Sequence, residues 1–542
     1  MELVLLSVIL GLTNYLYLKD HEPTARTLFQ TVITLVVEPL FLGYLVSPSL
    51  SLWNTFAIYI AFFTSLITSV LLYRLSPLHP LHSVPGPLLA KTTKLWTAYL
   101  CWKGKQYLAL KELHDKYGPI VRIAPNEVSV QNVESIKEVL GPDGMPKGQA
   151  YGPRRDPRTK GSVLVLNGED HRNRRRLWNR GMNTDSLREY EDIIKRRARE
   201  LVDALKSRKD GEVDLNEWFS FFSFDFMADM AFGGKTDMLT KGEDENGYLE
   251  LIEHGSRYID LICKLPWLAP ILGSIPFIKK SVLRLRGLGV KWSTERVQKG
   301  GETKDLWYHL SDEANLEQDR PALATVAGEG VLAIIAGSDT TSAALAYTIY
   351  YLLRNPECYR KARKEVDEVF NAGTIDALDT TQEYGRLAYV AACINESMRL
   401  MPPVPSNGPR EVVNGGKMLC GHFLPEGTQV QVAPYCIHRN PANFSPRTEE
   451  YVPERWLESG SGAGYATNTE AFIPFSYGPS NCAGRNLAKR EMIMLFAVLL
   501  QQFDMRFGKG KDEGRWVEGW LDRTKEYFVT VRDPLWVIPT PR

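Results

Sequence analysis

The hydrophobic pattern changes character near residue 76. Three apolar segments precede it: Leu3 to Leu18, with Asn14 inside it; Leu28 to Val46, with Glu38 and Pro39; and Trp53 to Leu72, which carries no charge. A spanning helix needs about 20 mostly apolar residues, so Trp53–Leu72 meets the requirement outright and residues 1–76 predict a membrane anchor of up to three transmembrane helices. A cleaved signal peptide is disfavoured for the first segment, which lacks a basic start and a small-x-small cleavage site. Lys19 and Arg26 follow the first segment, no cation falls in Ser47 to Ser51, and Arg74, Lys91 and Lys94 follow the third. Positive charge stays on the cytosolic side. Three spans therefore put Met1 in the lumen and the body in the cytosol, and a single span leaves the body on the same side.

Past the anchor, Ser83-Val84-Pro85-Gly86-Pro87 cannot continue a helix and predicts a stiff, extended hinge over 77–87, with the catalytic domain running from 88 to 542. Lys111 to Gly118 reads as a helix end, and Ile120–Ala124 with Glu127–Val130 as strand, turn, strand. Residues 141–162, rich in Gly, Pro and Arg, read as a long loop of functional size. A strongly basic helix opens at Gly168, by default a solvated face. Glu217 to Phe232 is thick with Phe, Met and Ala and belongs to the core. Leu265 to Phe277 is apolar but broken by three prolines and a glycine, so neither helix nor strand is expected there. A buried loop would strand backbone polar groups, which makes bilayer contact the expected role. Ala322 to Leu353 predicts a central helix packed on all sides, Tyr389 to Met401 a further helix, and Leu487 to Phe503 an apolar helix after a Pro/Gly-rich turn.

Composition changes this picture little. The 542 residues are 44% hydrophobic and 24% charged, and the net charge of +1 gives no global case for nucleic acid or an acidic partner. The seven cysteines (Cys101, Cys263, Cys358, Cys393, Cys420, Cys436 and Cys482) are scattered, odd in number and without a Cys-x-x-Cys pair. That argues against a disulfide framework or zinc site and for a reducing compartment.

The chemistry concentrates in Phe475-x-x-Gly478-x-x-x-Cys482-x-Gly484. A cysteine ending a tight turn just before a helix receives amide N–H groups and a positive dipole end, which favour a thiolate. Gly478 and Gly484 leave room for backbone to approach a flat cofactor. In the central helix, Ala336-Gly337-Ser338-Asp339-Thr340-Thr341 places a costly polar pair among alanines, and Gly337 with Thr340 is expected to loosen the helix and admit water. Glu396-Ser397-Met398-Arg399 alone would be a surface pair, but Pro453-Glu454-Arg455-Trp456 follows some fifty residues on. Pro402 to Arg410 is extended by its prolines.

These motifs, in this order over roughly residues 80–542, resemble the cytochrome P-450 monooxygenases. The resemblance implies a mainly α fold with a smaller β region, the heme lying between the central helix and the cysteine loop. It implies heme b with Cys482 as axial ligand of the iron, and a loop formed by Phe475, Gly478, Ser480 and Gly484. Ala336 and Gly337 would face the heme, and Asp339 and Thr340 would relay protons to the oxygen side. Glu396, Arg399 and Arg455 would lock the fold behind the cofactor. Arg175 stands at the arginine of the family's Trp-x-x-x-Arg and His171 at its tryptophan, and Arg410 matches a propionate-binding arginine. Ala333, Val404, Pro405, Ser406 and Asn407 would line the substrate pocket. Where most of the family has an arginine two residues before the cysteine, this chain has Ser480, which shifts propionate neutralisation onto Arg175, Arg410 and His171. No flavin domain follows, so electrons would come from a separate NADPH-cytochrome P-450 reductase, with cytochrome b5 as a second donor. The substrates would be O2 and a lipophilic small molecule, the location the endoplasmic reticulum membrane facing the cytosol. The loop and anchor look most like those of mushroom-forming fungi, which points to a secondary metabolite such as a terpenoid; fatty acid, sterol or xenobiotic oxidation come next. A non-oxygenating heme-thiolate enzyme is disfavoured by intact Asp339 and Thr340, and a non-catalytic heme-binding membrane protein would bind heme without turnover.

Overall fold

A computed structural model describes residues 2–542 except 22, 25, 26, 47–50, 156–158, 209, 210, 302, 372–374 and 458–463. At the N-terminus the three apolar segments form helices α1 (Glu2–Asp20), α2 (Leu28–Val46) and α3 (Leu52–Leu75), each long and apolar enough to cross a membrane. α1 and α3 run parallel. Lys19 of α1 stands 4.5 Å from the Tyr73 ring centroid of α3, and farther back Ser65 Oγ donates to Val8 O at 2.8 Å. Gly11 permits this approach, because a Cβ there would meet Phe62 O at 2.5 Å. Asn14 Nδ2 donates to Glu38 Oε2 at 2.7 Å, so two polar residues that interrupt the apolar segments satisfy each other. Arg26 and residues 47–50, used above to orient the spans, lie outside the described residues.

The stretch 77–87 docks on the body rather than standing free. Arg122 N donates to Pro85 O at 2.7 Å, and Leu81 and Val84 are buried in a second, smaller core. That core lies against a sheet in which Ile120–Ala124 pairs antiparallel with Glu127–Val130, which pairs parallel with Gln429–Val432, which pairs antiparallel with Arg410–Glu411. A second sheet joins Phe503–Phe507, Trp536–Pro541 and Val213–Asp214. Three two-stranded pairs, Lys417–Leu419 with His422–Leu424, Phe444–Ser445 with Ala466–Thr467 and Lys525–Tyr527 with Val529–Val531, complete the strands among the described residues, and the rest of the body is mainly helical.

Its main core is the packing of Leu215–Phe232 along the central helix Leu323–Arg354. Gly330 and Gly337 set the spacing: a Cβ at either would meet the Phe232 ring or Met227 Sδ at 2.6 Å. Gly337 thus serves helix packing. Thr340 Oγ1 donates to Ala336 O at 2.7 Å, as expected of a threonine that takes up a backbone carbonyl, while the helix runs unbroken from Leu323 to Arg354.

Leu265–Phe277 corrects the expectation that neither helix nor strand holds it. Its prolines stand at helix starts, where a missing N–H costs nothing: Pro266–Leu268 is a 3-10 turn, Pro270 lies in the first turn of Ala269–Ser274, and Pro276 begins Pro276–Lys299. Trp267, Ile271 and Phe277 are exposed. Within 141–162, Gln149–Arg154 is likewise a 3-10 turn.

Candidate active site

Cys482 closes a turn that its own backbone fixes. Cys482 N donates to Phe475 O at 2.9 Å, Ser476 N to Ile473 O at 3.0 Å and Asn481 N to Gly478 O at 3.0 Å; helix Arg485–Gln502 then begins at Gly484. Gly478 is held at φ +69, and a Cβ there would strike Leu140 O, so its role is turn geometry and packing on the neighbouring helix end rather than cofactor approach. A Cβ on Gly484 would meet nothing within 4 Å. Cys482 is the one exposed cysteine of the seven, on the wall of a cavity of about 200 Å³ shared with Arg175, Asn179, Met182, Ala483, Arg485 and Asn486. Surrounding protein pushes its thiol up, while the Gly484 N–H and the Arg175 and Arg485 guanidiniums pull the other way. The helix end alone does not make a thiolate here; a cation on the sulfur would.

Behind the loop lies a fully enclosed charge network. Arg399 Nε and Nη2 donate to the two oxygens of Glu396 at 2.8 and 2.9 Å, Arg455 Nε adds 3.1 Å, and Val452 N and Trp456 Nε1 bring 2.9 Å each. All three charged side chains have zero exposure. The network reaches the loop by two routes: Trp456 packs on Phe472 at 4.5 Å between ring centroids, and Ile473 N donates to His438 Nε2 at 2.9 Å. Burial holds His438 near 3, hence neutral and able to accept. This bidentate, desolvated geometry fixes position far better than an exposed pair.

On the central helix, Ala336 is exposed although Thr341 to Leu352 are buried, and Asp339 and Thr340 are half-buried beside it. Ala333 is buried. Burial raises Asp339 to about 6, with Arg532 opposing and Glu253 adding to the shift. Arg532 is held by Asn216 Oδ1 at 2.7 Å and Ser342 Oγ at 3.2 Å.

The arginine-rich helix Gly168–Gly181 is bolted to the central helix through Glu329, which accepts from Arg174 Nη1 at 2.7 Å and Trp178 Nε1 at 3.0 Å. Arg175 is turned to the cysteine loop: Nη2 donates to Asn481 Oδ1 at 2.6 Å, Nη1 to Asn481 O, and Nε to Asn179 Oδ1 at 2.9 Å. His171 is buried, and burial with Lys147, Arg175 and Arg410 lowers it to about 4, so near neutral pH it carries no charge. Arg410 is buried, and its Nε has no hydrogen-bond partner among the described residues. Facing it is a residue the motifs did not single out. Lys147 forms an antiparallel bridge with Arg410, and burial with Arg410 and Arg175 brings it down to about 7.

Of the residues expected at the pocket, Val404 is half-buried, Pro405 is buried, and Ser406 turns its N–H and hydroxyl to Glu526 at 2.9 and 2.8 Å. Ser406 is therefore a support for the wall. Asn407 Nδ2 reaches Ser476 Oγ at 3.4 Å in the cysteine loop. Glu526, pushed up to about 7 by burial, belongs to the hairpin Lys525–Tyr527 and Val529–Val531, whose tip Phe528 lies under Arg154 at 4.4 Å. No motif marked this hairpin.

Comparison with known proteins identifies the family. The family model described as Cytochrome P450 matches residues 84–531. Cytochrome P450 67 of Uromyces fabae is 31% identical over 99% of this chain and 99% of its own length. The cytochrome P450 monooxygenases cpaH and astJ of Aspergillus oryzae are 35% and 32% identical, each over 87% of this chain and over 91% and 94% of their own lengths. The family match spans most of the chain and these relatives are fungal, and the chain belongs to the fungal cytochrome P450 monooxygenases.

Proposed function

We propose that this enzyme oxidises a lipophilic small molecule of fungal secondary metabolism, a terpenoid skeleton being the first candidate, at the face of the endoplasmic reticulum membrane. The observation that carries the site assignment is Cys482, a lone exposed thiol at the end of a turn locked from behind by the enclosed Glu396–Arg399–Arg455 network.

The residues fit a heme. Cys482 offers sulfur to an opening, Gly484 leaves space beside it, and Arg410 presents a buried, unpartnered N–H suited to a carboxylate. Cys482 would hold the iron, the exposed Ala336 would border the heme, and the bound heme would supply activation of O2. Around it the chain's own groups do the rest. Asp339, held near 6, exchanges a proton close to working pH. Thr340, whose Oγ1 donates to Ala336 O at 2.7 Å, would pass that proton on. Val404 and the hairpin tip at Phe528 would meet the substrate, with Ser406 bracing the wall through Glu526.

Electrons would come from an NADPH-dependent reductase, with cytochrome b5 as a second donor. A groove of about 510 Å³ lined by Arg172, Arg175, Arg176, Arg180 and Pro479 runs beside the cysteine loop; Arg176 and Arg180 are paired with Glu317 and Asp312, and Arg172 is the cation that would meet an acidic protein surface. The anchor α1–α3 and exposed Trp267, Ile271 and Phe277 support membrane attachment, with an apolar substrate entering from lipid.

The test is expression with a fungal reductase, feeding of a terpenoid panel, and mass spectrometry for products heavier by one oxygen. Reductant consumption without such products across terpenoid, fatty acid and sterol panels would sink the monooxygenation of a lipophilic substrate.

A further inference from the structure

We propose that Lys147 anchors the heme: together with Arg410 it supplies the positive charge for the heme carboxylates that Ser480 does not. The proposal rests on the heme-thiolate reading above and concerns how this chain holds the cofactor at a position where its loop lacks the usual arginine.

The antiparallel bridge places Lys147 and Arg410 directly opposite each other. Side chains of a directly opposed pair leave the same face of the pleat, so two cations share one side of the strand pair. Both are buried. Like charges so placed repel, and burying them without an anion is costly. Among the described residues neither has a carboxylate within ion-pair distance, and Glu329, whose charge acts on Lys147, is already held by Arg174 and Trp178. The Lys147 ammonium donates to Val163 O at 2.8 Å and Leu166 O at 2.9 Å. That leaves one of its three N–H directions open, and across the bridge the Nε of Arg410 is open among the described residues as well.

The other candidates for this task are occupied or uncharged. Arg175 faces Asn179 and Asn481, His171 is neutral near pH 7, and Ser480 offers a hydroxyl. A pair of carboxylates settling between Lys147 and Arg410 relieves the repulsion and satisfies both open donors. The competing role for Lys147 is purely local, a staple on the carbonyls of Val163 and Leu166.

The two roles separate by rescue. Purified holoenzyme in detergent is mixed with excess apomyoglobin, and heme transfer is followed by the shift of the Soret band. Lys147→Met is expected to lose heme about tenfold faster, in the range seen when groups supporting a metal cofactor are removed, and Lys147→Arg to stay within about twofold because the charge is kept. Ser480→Arg added to Lys147→Met is expected to bring the rate back toward wild type, because the charge is restored at the same carboxylates from the other side. Unchanged heme loss in Lys147→Met overturns the proposal. So does faster loss that Ser480→Arg does not correct, since an arginine at 480 cannot replace a staple at 163–166. If Lys147→Met yields no holoenzyme, recovery of heme in the double variant supports the proposal and failure to recover overturns it. A wild-type protein without the CO-bound heme-thiolate Soret band would refute the underlying reading instead.

Discussion

Cys482 is held between opposing influences. Surrounding protein raises its thiol, whereas Gly484 N–H, Arg175 and Arg485 favour the anion, so ionisation belongs with cation binding rather than with the empty turn. Cys482→Ala is expected to abolish the reduced, CO-bound band that gives the family its name while leaving the far-UV helical signal intact. Asp339 shows a second balance. Its carboxyl titrates near 6 against an ordinary 3.8. Between those values the folded chain keeps a proton that the unfolded chain has lost, so its contribution to stability is full at low pH and is lost as pH rises through about 6. Asp339→Asn should slow product formation roughly 10²-fold, the usual size of a general acid–base contribution, and should remove the step near pH 6 from the rate profile. A profile that keeps that step in the variant would assign it elsewhere. Arg410→Ala, which removes a buried guanidinium with an open donor, should impair heme retention, measured as heme per protein after gel filtration.

At the scale of elements, the cysteine loop is positioned from behind by pieces distant in sequence. Glu396 and Arg399 share one helix, Arg455 and Trp456 arrive on a short turn, and His438 contributes a ring acceptor to Ile473. Glu396→Gln leaves two enclosed guanidiniums without their carboxylate, a change worth about 3–5 kcal/mol. The expected result is little holoenzyme, read as CO-bound Soret absorbance per milligram of protein. The helix spans were largely legible beforehand, because apolar spacing is a local property: Leu28–Val46 and the central helix appear where their patterns lie. Leu265–Phe277 was misjudged because prolines break a helix in its middle but start one at its first turn. Only their placement in three consecutive starts distinguishes the cases. Gly337 was likewise misjudged, since the space it leaves is filled by Met227 from another helix.

The whole molecule joins a parallel α1–α3 pair, a hinge docked on the first sheet, an exposed apolar ridge at Trp267 and Ile271, and a basic groove beside the cysteine loop. If ridge and anchor both face lipid, then with residues 2–76 removed, Trp267→Asp with Ile271→Asp should shift the protein from the vesicle pellet to the supernatant in a sedimentation assay. Retained pelleting would place the ridge elsewhere. If the groove receives an acidic reductase, Arg172→Glu should raise the reductase concentration needed for half-maximal turnover. The difference should shrink as salt rises, because exposed charges are screened beyond about 10 Å at 0.1 M.

The sequence by itself determined the three apolar helices before residue 76 and where the cysteine loop, the Asp339–Thr340 pair and the Glu396–Arg399 and Arg455 motifs stand, because each is written in contiguous residues. Tertiary structure alone decided which charges are free to act. Nothing around Lys147, set between Pro146 and Gly148, marks it as more than a loop cation. Its meaning comes from the strand that brings Arg410 opposite it, just as the role of Arg175 comes from Asn481 across the site. Burial, like-charge proximity and the absence of a neighbouring carboxylate among the described residues are relations between distant segments, and only the folded chain brings them together.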